Sequence, residues 1–189
     1  MDGLPVAALT RSRPSADVAT DEELMSACRG GSAEAFEQIF ERYRAPVWGY
    51  FRRRLVDVAR AEDLAQETFA AIWRGSAGYE PRALFRTYLY SIAFNLMSAE
   101  RRRARFRATE DLRGTEVGAS PETDHVLWLR QALGRLDESD REIVMLREFE
   151  QLSYAEIGAL LHLPLNTVRT RLFRARLALR ALLEPGDRS

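Results

Sequence analysis

The chain has 189 residues and no lysine: its 28 basic residues are all arginine, balanced by 28 acidic ones to a formal net charge of zero. A GC-rich gene alone would produce this bias. Even so, every cation carries a planar fork suited to bidentate contact with phosphate or guanine. Cysteine is almost absent, and the single Cys28 excludes a disulfide framework or a cysteine metal cluster. The two histidines, His125 and His162, lie far apart with no ligand spacing, so no metal and no cofactor is expected. No apolar run reaches the length of a membrane span, and none follows a basic start as a signal peptide would. Cytoplasmic residence without membrane insertion is therefore expected. No P-loop is present, which argues against nucleotide hydrolysis. No alternation of strand type occurs, which leaves an all-α fold. With 46% apolar and 30% charged residues, the chain can bury genuine cores.

What is present is strongly segregated charge. Residues 101–107, Arg-Arg-Arg-Ala-Arg-Phe-Arg, are nearly all basic, residues 108–150 lean acidic, and no acid occurs from Ile157 to Leu183. Within that acid-free stretch, Ser153 and Glu156 form a capping-box pattern that predicts a helix from Tyr154, with Ile157, Leu160 and Leu161 as its apolar stripe. Pro164 is expected to break it, and Asn166 or Thr167 to cap a second helix reaching about Leu183. On that helix Val168, Leu172, Ala175 and Leu179 form one buried seam. Thr170, Phe173 and Arg174 point away from it, flanked by Arg169, Arg171 and Arg176. A short second helix with outward arginine, threonine and an aromatic is what entry into a DNA major groove requires. The plainer alternative is a helical hairpin with a solvated basic face, but acid-free stretches of this length are uncommon in a neutral chain.

Upstream, residues 1–20 lack periodicity and read as a mobile tail. From Asp21 to Arg107 the pattern is helical. Ser32 caps a helix with Phe36, Phe40, Tyr43 and Val47 on one face and Pro46 as a kink; a second helix spans Ala61–Arg74; and residues 75–81 form a loop before a third helix that ends in the arginine run. Residues 108–121, with Gly114, Gly118 and Pro121 among acids, mark a linker. Val126, Leu129, Ala132, Leu133 and Leu136 then predict one helix, and Ile143, Val144 and Leu146 another, packed under the helix-turn-helix. The expected architecture is two small helical domains, residues 21–107 and 122–184, joined by a flexible linker, with the helix-turn-helix in the second.

Two segments together resemble the extracytoplasmic function (ECF) class of sigma factors, small two-domain members of the bacterial sigma-70 family. One is Asp63-Leu64-Ala65-Gln66-Glu67-Thr68-Phe69, with Phe85-Arg86-Thr87-Tyr88-Leu89-Tyr90-Ser91-Ile92-Ala93 and Asn95 downstream. The other is Leu152-Ser153-Tyr154-Ala155-Glu156-Ile157-Gly158, with Thr167-Val168-Arg169-Thr170-Arg171-Leu172 and Arg174-Ala175-Arg176. The resemblance spans roughly residues 21–183 in the right order. This sequence departs from the family pattern at Tyr88, where tryptophan is usual, at Asn166, where glycine is usual, and at His162, where a small residue is common.

The resemblance implies a transcription initiation factor, not an enzyme. Residues 21–107 would bind RNA polymerase core and the −10 element, and residues 122–184 the −35 element. Asp63, Gln66, Glu67 and Phe69 would dock on the largest core subunits. The loop 76–83 would accept a base flipped from the non-template strand, with Tyr79 as the stacking surface and Asn95 nearby; Phe85 reads equally well as core. Arg101, Arg102, Arg103 and Arg105 would run along −10 phosphate. Arg169, Thr170, Arg171, Phe173, Arg174 and Arg176 would meet the −35 groove. The family often pairs with an anti-sigma protein that wedges between the domains. Two other readings compete. A regulator of the LuxR output class shares the Asn-Thr-Val start, but usually carries a domain with strands in front. An all-helical enzyme would need a convergent catalytic set, and Asp63 with Glu67 forms only a helix-face pair.

Overall fold

The computed structural model describes residues 19–81, 83–110 and 124–183. Those residues form eight α-helices: α1 (Asp21–Arg29), α2 (Ala33–Arg52), α3 (Val58–Gly75), α4 (Phe85–Glu110), α5 (Asp124–Gly134), α6 (Glu138–Glu148), α7 (Tyr154–Leu161) and α8 (Leu165–Leu183), with one 3-10 turn at Ser76–Gly78. Among the described residues there is no strand, as the sequence pattern requires.

Local chemistry starts most of these helices. Thr20 and Glu23 form a capping box for α1, Ser32 accepts the Ala35 amide at α2, and Asp57 accepts the Arg60 amide at α3. Each satisfies a backbone donor that a helix start otherwise leaves open. Thr20 is thus an N-cap and not part of the expected tail, while residues 1–18 lie outside the described set. Helix α3 begins at Val58, three residues before the sequence boundary, because Asp57 is the cap. Helix α2 continues through Pro46 to Arg52. Helix α4 extends through residues 108–110, where the linker was expected to begin, and the rest of that linker lies outside the described residues.

The N-terminal core gathers Met25, Ile39, Tyr50, Phe51, Leu64, Ile72, Phe85, Leu89 and Met97, all fully buried. The expected face of α2 is rotated. Ala35, Ile39, Val47, Tyr50 and Phe51 are its deepest residues, whereas Phe36 and Tyr43 are half-buried and Phe40 is exposed. Tyr43 is held at the edge because its hydroxyl donates to Asp21. The C-terminal core comprises Ile143, Leu146, Leu152, Ile157, Val168 and Leu172. The burial of each such side chain contributes about 1.5–3 kcal/mol.

The turn between α7 and α8 differs from the sequence reading in two respects. Helix α7 ends at His162, whose backbone is left-handed (φ 54°, ψ 43°), two residues before Pro164. The Leu163 amide returns to the Gly158 carbonyl at 2.9 Å, and a Cβ on Gly158 would lie 2.9 Å from the Leu163 oxygen, so glycine is required there. Helix α8 then begins at Leu165. The Thr167 and Val168 amides donate to the Pro164 carbonyl at 2.9 and 3.1 Å, so Pro164 holds the cap position and Asn166 lies inside the first turn.

The two halves are packed together. Helix α4 meets α7, and the end of α2 meets α6 and the turn that follows it. The sequence pattern indicated two helical domains joined by a linker and gave no sign of this contact.

Candidate nucleic-acid interface

Helix α8 shows one face to solvent. Val168, Leu172 and Ala175 are buried beneath it, and Leu179 is half-buried, as the seam predicts. Arg169, Thr170, Phe173 and Arg174 are all exposed, Phe173 by 69%. Arg169 and Arg174 have no acidic partner among the described residues, while the Thr170 hydroxyl donates to the Asn166 carbonyl at 2.9 Å. The expected flanking arginines behave differently. Arg171 donates to the Ser139 hydroxyl at 2.5 Å, and Arg176 pairs with Glu148 at 2.5 Å. The free face is therefore narrower than the sequence indicated and is centred on Arg169, Phe173 and Arg174.

The second basic surface is the end of α4. Arg102 and Arg103 are exposed, as is Phe106 at 76%. Arg101 instead reaches Glu142 at 3.0 Å and Glu138 at 3.5 Å, and Arg105 reaches Glu138 at 2.8 Å. Beneath this run, buried Glu100 accepts from Arg60 and Arg107, each at 2.8 Å. Burial alone would raise the Glu100 carboxyl, but these arginines outweigh it and hold the group below its ordinary pKa.

The loop expected to stack a flipped base is arranged otherwise. Tyr79 is 6% exposed and packs against Tyr88 and Phe85 at ring separations of 5.2 and 6.4 Å. Its ring is part of the core and offers no stacking face, which corrects the reading from its loop position. The 3-10 turn at Ser76–Gly78 packs against α1 and α3, and the Tyr79 ring that follows it is set inside against α4. Phe85 is fully buried, and Asn95 is exposed on α4. The exposed loop residues are Ala77, Gly78, Glu80, Pro81, Ala83 and Leu84.

On α3, Asp63 and Gln66 are exposed and Glu67 is half-exposed; Arg60 draws Glu67 to 3.3 Å and Asp63 to 3.7 Å. Phe69 is only 5% exposed, so it is a wall and not a protruding contact. It meets Phe40 edge-on at 4.9 Å and closes a groove between α2 and α3 lined by Phe40, Trp48, Ala65 and Gln66. Trp48 was not singled out in the sequence and Phe40 was placed on the apolar face of its helix, yet both are exposed.

A further constellation was missed entirely. Arg54 has a side chain only 1% exposed, seated over the Tyr50 ring at 3.7 Å. It donates to Glu142 at 2.8 Å and Glu150 at 3.2 Å, and Arg53 also pairs with Glu150 at 2.9 Å. The signal was the Arg52-Arg53-Arg54 triplet at the end of an otherwise amphipathic helix. No group of histidine, cysteine and carboxylate residues that could hold a metal occurs among the described residues, and no described helix is long and apolar enough to cross a membrane.

Comparison with known proteins agrees with this layout. The family model described as Sigma-70 region 2 matches residues 39–107, and that described as Sigma-70, region 4 matches residues 127–179. RNA polymerase sigma-H factor of Pseudomonas aeruginosa is 32% identical over 87% of this chain and 94% of its own length. The ECF RNA polymerase sigma factor SigW of Bacillus subtilis is 32% identical over 81% and 91%. Among solved structures, CnrH in complex with the cytosolic domain of CnrY superposes with a TM-score of 0.67 at 28% identity, covering 86% of this chain and 96% of that one. RpoE of Bartonella quintana, in complex with the anti-sigma factor NepR, shares the fold with a TM-score of 0.68 at 20% identity, over 82% and 99%. With both sigma-70 regions in order and relatives matched over nearly their whole length, the chain belongs to the extracytoplasmic function class of the sigma-70 family of RNA polymerase sigma factors.

Proposed function

We propose that this chain acts in the cytoplasm as a dissociable specificity subunit that joins RNA polymerase core, recognises a two-part promoter and starts transcription without enzymatic chemistry of its own. Residues 21–107 serve as the core-binding and −10 unit, and residues 122–184 as the −35 unit. The observation that carries this reading is the exposed α8 face, where Arg169, Phe173 and Arg174 stand over a buried seam within the region 4 match. Phe173 suits contact with a thymine methyl, Arg174 suits a base edge, and Arg169 suits phosphate.

Asp63, Gln66 and Glu67 form the polar rim of the core contact, and the Phe40–Trp48–Phe69 groove forms its apolar floor. Arg102 and Arg103 hold −10 phosphates, joined by Arg101 and Arg105 once these are released from Glu138 and Glu142. Base capture falls to the exposed part of the 76–83 loop, with Asn95 beside it, since Tyr79 is withdrawn into the core. An anti-sigma partner, such as those seen with CnrH and the Bartonella protein, is part of the same proposal. The LuxR-type alternative loses ground because residues 39–107 match sigma-70 region 2.

Transcription by purified core polymerase over a promoter library, with and without the chain, tests this reading. New start sites sharing two spaced motifs support it. DNA footprints by the chain alone, with no new starts, would favour a conventional regulator. Replacing Asp63 and Glu67 together by arginine should abolish core binding, and unchanged core affinity would sink the α3 assignment.

A further inference from the structure

We propose that the crevice beside Arg53 and Arg141 binds a small amphiphilic anion, one with an oxyanion head and an apolar or aromatic body. A cavity of about 270 Å³ opens between the end of α2 and α6, and its wall carries Arg53, Arg54, Arg101, Arg141, Glu138 and Met145. Four guanidiniums therefore share that wall with a single carboxylate. Arg54 is already engaged by Glu142 and Glu150, and Arg101 by Glu142 and Glu138. Arg53 and Arg141 are engaged only in part. Arg53 gives an Nη to Glu150 at 2.9 Å, and Arg141 gives one to the Leu136 carbonyl at 3.2 Å. The Nε–H of each is buried and has no hydrogen-bond partner. Arg141 meets no carboxylate among the described residues.

A buried donor left unpaired is costly, and folded chains keep few of them without an ion or ligand to meet. Here two such donors belong to the wall of one cavity, one from each half of the chain. Both belong to guanidiniums, whose planar edges suit a carboxylate, sulfonate or phosphate. A DNA duplex cannot serve them, because phosphates on so broad a rod reach exposed Nη atoms and not an Nε sunk in a crevice. The head must be small enough to enter. The body is chosen by the neighbouring wall. A groove of about 430 Å³ shares Arg53, Arg54, Arg141 and Met145 with the cavity and adds Leu55, Val56, Leu129, Leu133 and Phe149. The Phe149 ring lies 4.9 Å from the Arg53 guanidinium, so the apolar and basic walls adjoin. Small-molecule sites combine an apolar wall with a few convergent polar groups in this way. Arg101 apart, none of these residues belongs to the surfaces assigned above to promoter DNA or polymerase core.

Calorimetric titration of the full chain with naphthyl phosphate tests the site, with inorganic phosphate as the head alone and naphthol as the body alone. Naphthyl phosphate should saturate one site per chain, and each part alone should bind at least about tenfold more weakly. Arg141→Gln should weaken naphthyl phosphate about tenfold by removing a charged donor. Val56→Asn, at an exposed position on the opposite half, should weaken it about fivefold through lost apolar contact while leaving inorganic phosphate unchanged. Arg29→Gln removes an exposed arginine on α1 and should change nothing. Circular dichroism shows that each variant compared is folded. Absence of saturable binding, or full affinity in folded Arg141→Gln, overturns the site. Equal affinity for inorganic and naphthyl phosphate, or full affinity in Val56→Asn, overturns the apolar half of the ligand. A loss in Arg29→Gln equal to that in Arg141→Gln reduces the binding to general attraction of anions and overturns the proposal.

Discussion

The two arginine-rich faces of this protein resemble each other in composition and differ in availability. On α8, Arg169 and Arg174 look out from a stretch without acids and meet no carboxylate among the described residues. On α4, Arg101 and Arg105 are equally basic in sequence yet are claimed by Glu138 and Glu142 from the other half of the chain. Local charge density marks both faces alike, and whether their arginines are paired depends on carboxylates some 33 to 41 residues away.

The largest expected effect comes from breaking the buried centre of that difference. Arg54→Ala leaves Glu142 to Arg101 alone and Glu150 to Arg53 alone, and removing one partner of a buried pair costs up to about 3–5 kcal/mol. Denaturant titration should show a midpoint lowered accordingly. Replacing Arg54, Glu142 and Glu150 together by Met or Leu should recover most of the loss. A single substitution costing less than about 1 kcal/mol would mean that water reaches the pair.

Acid should weaken the same centre. Burial would raise the Glu142 carboxyl, but Arg54 and Arg101 outweigh it and keep it below its ordinary value. Because the folded pKa is depressed, the contribution is fully present above the unfolded glutamate value of about 4.3 and is lost as pH falls through the lower folded one. Stability measured between neutral pH and pH about 3.5 should therefore decline less steeply in Glu142→Gln than in the parent chain. Equal slopes would assign the acid sensitivity elsewhere.

The open face offers smaller, sequence-dependent effects. Arg174→Ala and Phe173→Ala should each cost about 1–3 kcal/mol on a preferred −35 sequence and relax a single base position. Arg169→Ala should weaken all sequences alike and lower the salt slope by about one. A uniform loss for Arg174→Ala would move that residue from the bases to the backbone. Binding selections over randomised −35 sequences separate these outcomes.

Much of this was legible in sequence because it depends on near neighbours. Ser153 with Glu156 announced α7, and the Val168–Leu172–Ala175 spacing placed the α8 seam under the exposed residues. What escaped depends on distant ones. Tyr79 looked accessible on a loop, but a 3-10 turn folds it against Tyr88. Pro164 looked like the breaker, yet His162 had already taken the left-handed turn that Leu163 seals on Gly158. Arg54 drew no reading from the sequence, and only its pairing with Glu142 of α6 and with Glu150 showed it to be buried.

The finest test of the comparison lies on α8, where the paired Arg176 shares a helix with Arg169 and Arg174, which meet no carboxylate among the described residues. Arg176 is held by Glu148 at 2.5 Å, with both side chains about half exposed. A pair in that position contributes about 0–1 kcal/mol to stability, since solvent screens it and two long side chains must be ordered. Glu148→Gln should accordingly shift the unfolding midpoint by less than that and leave the fold intact. Its effect on DNA should be clearer. Freed from Glu148, Arg176 becomes available to phosphate beside Arg169, and the slope of log affinity against log salt should steepen by about one contact. A steeper slope would show that carboxylate neighbours, more than position along the helix, decide which α8 arginines reach the backbone. An unchanged slope would mean that DNA already displaces Glu148, and the distinction between paired and unpaired arginines would then hold only for the buried contact around Arg54 and Arg101.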